Sequence, residues 1–203
     1  RIYLATPRLR GLLSLNLAAA AAGAMVLVNT VVLVRSGLGF GETEVALALG
    51  AFGGGSMLAA LILPRLLDQR PDRPVMIGGV LVITLLGLAG LSAYQGTGWP
   101  VLLTGWVVIG IGYSTVLTPS GRLLKRSAHP EDRPAVYAAQ FALSHACWLV
   151  TYPLAGWLIT DFSAATAFAV LALLSIAGMI GGVVLWPRGD ADVVEHSHDD
   201  LPS

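Results

Sequence analysis

The sequence predicts an all-α, polytopic membrane protein with six transmembrane helices, and three observations lead to this fold class. Hydrophobic residues make up 55% of the 203 residues and charged residues only 12%, about half the ~25% charge of a soluble domain. Six apolar runs are long enough to cross a hydrocarbon core of about 30 Å as helices, and none contains Asp, Glu, Lys or Arg. The runs are uniformly apolar, whereas the strands of a membrane barrel alternate in polarity.

The predicted spans form one domain, 11–187, in which the chain crosses the membrane repeatedly. A short cytoplasmic segment, 1–10, leads into it, and an acidic, disordered cytoplasmic tail, 188–203, follows it. Because the chain begins at Arg1 and enters a helix almost at once, we expect it to be a piece of a longer protein. The six spans are predicted at 11–34, 45–63, 75–93, 100–118, 134–158 and 164–186.

The basic residues fall almost entirely on one side of these spans. They precede the first span, separate the second from the third and the fourth from the fifth, and follow the sixth, whereas the other side has Arg35 alone. Since cytoplasmic loops carry the excess of Lys and Arg, both termini are predicted to be cytoplasmic, in the plasma (inner) membrane of a bacterium. A net charge of zero gives no sign of a nucleic-acid partner.

The segment after the second span carries a partial motif. It reads Pro-Arg-Leu-Leu-Asp-Gln-Arg-Pro-Asp-Arg-Pro over residues 64–74. With its six spans and cytoplasmic ends, the chain resembles one half of a major facilitator superfamily transporter, whose motif here is Gly-x-x-x-Asp-Arg-x-Gly-Arg-Arg. Asp68 and Arg73 fall on matching positions. Four positions depart from the motif: Pro64, Gln69, Pro71 and Asp72.

The resemblance implies a specific architecture and partner. The degenerate motif is typical of the C-terminal half, and the fold implied is a half bundle of two inverted three-helix units. Such a half needs the N-terminal half, or a second copy, to enclose a cavity for a small-molecule substrate. The resemblance also implies that Asp68 and Arg73 form a gating latch; the alternative is a charged turn that keeps the loop inside.

The fifth span sorts its polar and aromatic residues onto one side. At 100° per residue, Gln140, Ser144, Cys147 and Thr151 share a stripe beside a second, ring-rich stripe. We expect this side to face inward, either for hydrogen bonding between helices or as the lining of a cavity. The second stripe consists of Tyr137, Phe141, His145, Trp148 and Tyr152.

Candidate site residues follow from this pattern and from the resemblance. Gln140, Ser144 and Trp148 are candidates for the substrate cavity, and His145, close to the midplane, is the candidate for proton coupling; the alternative is a neutral, packed histidine. By the superfamily's arrangement the first and fourth spans line the cavity, which adds Asn29, Trp106 and Tyr113 as candidates, with helix packing as the alternative.

Glycines are predicted to serve close helix packing. The second span has a cluster over residues 50–56 that contains Gly50-x-x-x-Gly54, and the sixth has Gly178-x-x-x-Gly182. Small residues at this spacing allow two membrane helices to approach closely.

Other chemistry has little support in the sequence. There is no phosphate-binding loop, and no nucleophile–base pair or metal-ligand set lies in the spans, so no enzyme activity, cofactor or metal is predicted. His196 and His198 belong to a solvated tail. The predicted function is secondary active transport of a small molecule by alternating access, with efflux preferred to uptake. The alternative is a six-helix intramembrane scaffold or enzyme subunit without transport activity.

Overall fold

The computed structural model describes residues 2–89 and 98–189, and within these ranges it contains helices and no strands. Six helices are long and apolar enough to cross a membrane. A short helix, Ile2–Ala5, precedes the first of them, and a second short helix, Ser120–Arg126, extends the fourth. The six long helices are α1 (Pro7–Gly37), α2 (Glu42–Gln69), α3 (Asp72–Ala89), α4 (Trp99–Leu117), α5 (Arg133–Asp161) and α6 (Ala164–Leu185).

These helices confirm the predicted all-α, polytopic fold, and their limits follow local signals. α1, α4 and α5 each have proline in the first turn, where its missing N–H leaves no bond unmade. Ser163 caps α6 by accepting a hydrogen bond from the backbone of Thr166 at 3.1 Å. α1 begins four residues before the predicted 11. Residues 90–93 of the third predicted span, and the predicted tail beyond 189, lie outside the described residues.

Two of the helices change their winding near one end. The last turns of α1, Val32–Gly37, and the second half of α3, Val82–Ala89, are π-helical. Neither change had been predicted from the sequence.

Contacts between helix ends show that successive helices run in opposite directions. Gly11 near the start of α1 packs against Trp186 just after α6, and the hydroxyl of Tyr137 near the start of α5 donates to the carbonyl of Gly121 at 2.9 Å. The starts of α1, α3 and α5 therefore meet the ends of α2, α4 and α6 at one end of the bundle. We call this the arginine-rich end, because it contains Arg73, Arg122, Arg126 and Arg188.

Helix packing repeats between the two halves of the chain. α1 packs on α5 and α6, just as α4 packs on α2 and α3, and α1 also packs on α4 and α3 on α6. Each of these pairs except those of α4 with α2 and α3, and of α1 with α5 and α6 taken as their counterparts, is matched by symmetry: if every helix in these pairs is replaced by the helix three places from it in the chain, the same set of pairs results. Helices three apart run in opposite directions, so the arrangement is that of two inverted three-helix units.

Small residues decide how closely the helices approach. Residues 18–22 of α1 are all alanine, and each side chain is at most 1% exposed. These small side chains allow α1 to lie at the centre of the bundle with neighbours on several sides. In α6 a Cβ on Gly178 would lie 2.6 Å from the carbonyl oxygen of Ser14, which confirms the predicted packing role of that helix's glycines. A methyl group at such a position would force the helices apart.

In α2 the packing glycine is not the one that the spacing suggested. A Cβ on Gly50 or Gly54 would meet nothing within 4 Å, whereas a Cβ on Gly55 would overlap the carbonyl oxygen of Val107 in α4. Gly110 makes the reciprocal approach to the carbonyl of Phe52. The cluster thus serves close packing as predicted, but through Gly55 alone among these three glycines of α2.

Candidate functional site

α5 carries a row of ring side chains along one side. The Phe141 and His145 ring centroids are 3.9 Å apart, and those of His145 and Trp148 are 5.1 Å apart. Trp148 and Tyr152 are 5.9 Å apart with nearly parallel planes. We call Phe141, His145, Trp148 and Tyr152 the aromatic strip. Their contacts form one continuous π surface over three turns of the helix.

The six-helix bundle leaves the first part of this strip open. Phe141 is 66% exposed and His145 is also exposed, whereas Trp148 and Tyr152 are half-buried. Within this six-helix half the ring-rich stripe is therefore open at Phe141 and His145, and that it faces an enclosed cavity stays a prediction that needs a partner half. α5 packs on α1 through Thr151, a member of the predicted polar stripe, and through Ala155, both of which are buried.

His145 has one ring nitrogen occupied and one free for another interaction. Its Nδ1 lies 2.7 Å from the carbonyl oxygen of Phe141. Because a carbonyl oxygen only accepts, this geometry assigns the proton to Nδ1 and leaves Nε2 as an acceptor. The Nε2 of His145 is thus positioned to accept a hydrogen bond at the open surface.

The other two candidates on α5 have partners within the chain. Ser144 donates to the carbonyl of Phe141 at 3.0 Å. The amide oxygen of Gln140 accepts a hydrogen bond from the hydroxyl of Tyr3, a residue of the short N-terminal helix that is only 2% exposed. Burial raises the pKa of Tyr3, and the Cys147 thiol adds to the rise, so the hydroxyl stays protonated and remains a donor.

Two candidates on α1 and α4 lie in the core instead of on an open surface. Asn29 is completely buried and donates through its amide to the carbonyl of Ala155 at 3.1 Å. Trp106 is also completely buried, and its indole N–H donates to the hydroxyl of Thr30 at 2.8 Å. In this conformation both side chains join neighbouring helices, as the alternative of helix packing describes.

The third candidate, Tyr113 on α4, is half-buried. Its ring makes an edge-to-face contact with Phe52 at 5.5 Å between centroids and packs against Gly23 of α1. It therefore lies where α1, α2 and α4 meet, with part of its side chain accessible.

Two buried polar atoms at the contact between α1 and α5 have no partner. Within the described part of the chain, neither the amide oxygen of Asn29 nor the hydroxyl of Thr151 has a hydrogen-bond partner. Since buried polar groups are normally paired, this contact keeps unused hydrogen-bonding capacity.

At the arginine-rich end the buried carboxylate is Asp72, a position that departs from the superfamily motif. Its side chain is completely buried and pairs with Arg126 at 2.7 Å and with Arg122. Arg122 also donates to the carbonyl of Leu67 at 3.2 Å. This triad joins the start of α3 and, through Leu67, the end of α2 to the short helix after α4.

The two motif residues are not joined to each other. Asp68 is exposed, and no ion pair of it with Arg73 exists among the described residues. Arg73 instead donates to the carbonyls of Trp186 and Val183 at 2.8 and 3.0 Å. A cation at the last carbonyls of a helix satisfies acceptors that have no partner in the helix. Asp68 and Arg73 thus make separate contacts in this chain, and their assignment to a gating latch stays a prediction.

A sequence signal for this triad did exist. Arg122 and Arg126 are four residues apart, which places both on one side of a helix, and an aspartate stands at position 72 where the motif has arginine. Read together, these two facts would have indicated a reversed charge pair between the loop and the fourth span.

The fold defines a class before any comparison: a polytopic, helical membrane protein built from two inverted three-helix units. Within residues 2–89 and 98–189 no group of three His, Cys, Asp or Glu side chains is placed to hold a metal ion. The family model of the Major Facilitator Superfamily matches residues 12–200, and the chain belongs to this superfamily, whose members are transporters. No curated protein matches the sequence.

Proposed function

We propose that the chain is the C-terminal half of a secondary active transporter that moves a small molecule across the membrane by alternating access. The observation that carries this proposal is the open aromatic strip of α5. Lipid tails offer no partner for the Nε2 of His145, and polar groups in a membrane helix normally face protein or water. A second six-helix half, or a second copy of this one, would cover the strip and enclose a cavity.

The exposure of the helices supports this arrangement. Of the six spans, α2 and α5 have the smallest fraction of buried residues in their apolar part, and α1 has the largest. α2 and α5 also occupy equivalent places in the two inverted units. A symmetric pair of uncovered helices is the expected edge of a half that meets another half.

The chemistry of the strip favours a neutral substrate with an aromatic group. The six predicted spans contain no Asp, Glu, Lys or Arg, so this half provides no full charge for a charged substrate. Flat rings stack on Trp148 and Tyr152, and His145 can accept one hydrogen bond. We retain efflux as the preferred direction.

Replacing Trp148 with leucine in the full transporter is expected to weaken substrate binding about two- to tenfold, because a stacked aromatic pair contributes about 0.5–1.5 kcal/mol. Trp157→Leu is the matched control, since Trp157 lies on the opposite side of α5 and is 54% exposed. Substrate flux into proteoliposomes measures both variants. Equal flux in the Trp148 variant and the wild type would argue against a role of the aromatic strip in substrate binding. Absence of flux with any partner half would favour the alternative of a scaffold without transport activity.

Replacing His145 with glutamine tests the proposed coupling of transport to protons. Histidine is the side chain whose charge changes near neutral pH, and glutamine cannot titrate there. We expect the variant to lose the pH dependence of transport while it still binds substrate. A pH profile identical to that of the wild type would instead make His145 a neutral, packed residue.

We further propose that the arginine-rich end faces the cytoplasm of a bacterium, so that both termini lie inside. The support is the excess of arginine at that end. In a Cys147→Ala background, cysteines at Gly98 and at Glu131 should react with an impermeant thiol reagent from opposite sides, with Gly98 accessible in intact cells. Reaction of Glu131 from outside would reverse the proposed orientation.

A further inference from the structure

Two cavities of different chemistry adjoin at Pro74, in the first turn of α3. The first is an apolar groove of about 430 Å³ between α2, α3 and α4. Gly78 leaves it open, because a Cβ there would meet nothing within 4 Å. The groove extends along α3 from Pro74 to Val82, about 12 Å at 1.5 Å per residue. Its lining includes Leu58, Ile62, Leu66, Pro74, Gly78 and Val82.

The second cavity is a basic pocket of about 250 Å³ at the arginine-rich end. Three arginines and one aspartate contribute to its lining, a local charge of +2: Arg73, Arg126, Arg188 and Asp72. Arg73 is held in place because its Nε and Nη2 donate to carbonyls at the end of α6. These two bonds do not use its Nη1. Arg188 is exposed and supplies a further guanidinium.

We propose that these two cavities together bind one anionic phospholipid. The phosphate group lies in the basic pocket against Arg73 and Arg188, and one acyl chain lies in the groove beside Gly78. Basic pockets between membrane helices are suited to anionic lipid headgroups, and guanidinium binds phosphate oxygens with directed hydrogen bonds. The groove reaches over most of the ~15 Å depth of one leaflet's hydrocarbon.

The groove is what favours a lipid over a free phosphate ion. A free phosphate would use the basic pocket alone and would leave the groove to other molecules. Pro74 borders both cavities, so a headgroup at the pocket places its chains beside the groove. The triad of Asp72 with Arg122 and Arg126 neutralises the one carboxylate nearby, which leaves Arg73 and Arg188 to attract an anion.

The test is native mass spectrometry of the full protein, purified in a neutral detergent and mixed with dioleoyl phosphatidylglycerol or dioleoyl phosphatidylcholine. We expect one phosphatidylglycerol to be retained in preference to phosphatidylcholine. Arg188→Gln should lower that retention about fivefold, the contribution of one arginine near an anionic headgroup. Arg10→Gln, an exposed arginine at the same end, is the matched control and should leave the retention unchanged.

A second pair of variants tests the groove. Gly78→Leu should fill it and lower the retention of phosphatidylglycerol, whereas Gly50→Leu, where an added Cβ would also meet nothing within 4 Å, should not. Equal retention of the two lipids, equal effects of the two arginine variants, or no effect of Gly78→Leu would each overturn the proposal. Displacement of the lipid by an equal concentration of inorganic phosphate would assign the pocket to a free anion and overturn it as well.

Discussion

Replacing Gly55 with alanine is expected to lower the free energy of unfolding by about 3 kcal/mol, the upper end of the usual effect of overfilling a packed interior. The added Cβ would overlap the carbonyl oxygen of Val107, and backbone cannot move aside as a flexible side chain can. α2 and α4 would have to separate along their whole contact. We expect the melting temperature in detergent to fall by about 10 °C.

Gly54→Ala is the matched control, one residue away on the same helix. A Cβ at Gly54 would meet nothing within 4 Å, and alanine favours a helix over glycine by up to about 1 kcal/mol. The melting temperature of this variant should therefore stay the same or rise. If both substitutions lower it equally, the approach of α2 to α4 does not depend on Gly55.

Replacing Asp72 with asparagine is expected to destabilise the arginine-rich end by about 3 kcal/mol. Removing one member of a buried ion pair leaves the other charges without compensation, a loss of about 3–5 kcal/mol when both are fully buried. Here Arg122 and Arg126 retain 40% and 26% side-chain exposure, so water offsets part of the loss and the lower value applies. Thermal unfolding monitored by tryptophan fluorescence measures the difference.

Asp68→Asn makes the same chemical change four residues earlier, at an exposed carboxylate. A surface substitution of this kind changes stability by no more than about 0.5 kcal/mol. A reduced transport rate with normal stability would support the prediction that Asp68 belongs to a latch, made with the other half and not with Arg73. Equal destabilisation by both variants would contradict the assignment of the buried charge to Asp72.

Much of the fold could be predicted because hydrocarbon imposes a simple requirement on a chain. A span needs about 20 apolar residues and satisfies its backbone hydrogen bonds within one helix. The predicted limits of α6, 164–186, differ from the observed Ala164–Leu185 by one residue. The predicted start of α1 was less accurate. Its first turn from Pro7 contains Arg8 and Arg10, and a search for apolar runs excludes such charged residues.

The candidate site was harder to predict, because periodicity alone does not say which side of a helix is covered. The polar stripe of α5 was identified correctly as a stripe. Its direction depends on how α5 is rotated against α1, where Thr151 and Ala155 make the contact. The same applies to Asn29, whose partner Ala155 is 126 residues away in the chain.

The sequence by itself determined the number of spans, the gathering of arginines at one end and the resemblance to the superfamily, because each depends on local composition or on loop order. Only the tertiary structure decided that Asp72, and not Asp68, is the buried carboxylate, and that Gly55, and not Gly54, is the point of close approach. Adjacent positions on a helix differ by about 100° in direction. That angle separates Gly54 from Gly55, whereas Asp68 and Asp72 lie on different helices. What each side chain meets is set by neighbours distant in the chain, such as Arg122, 50 residues from Asp72.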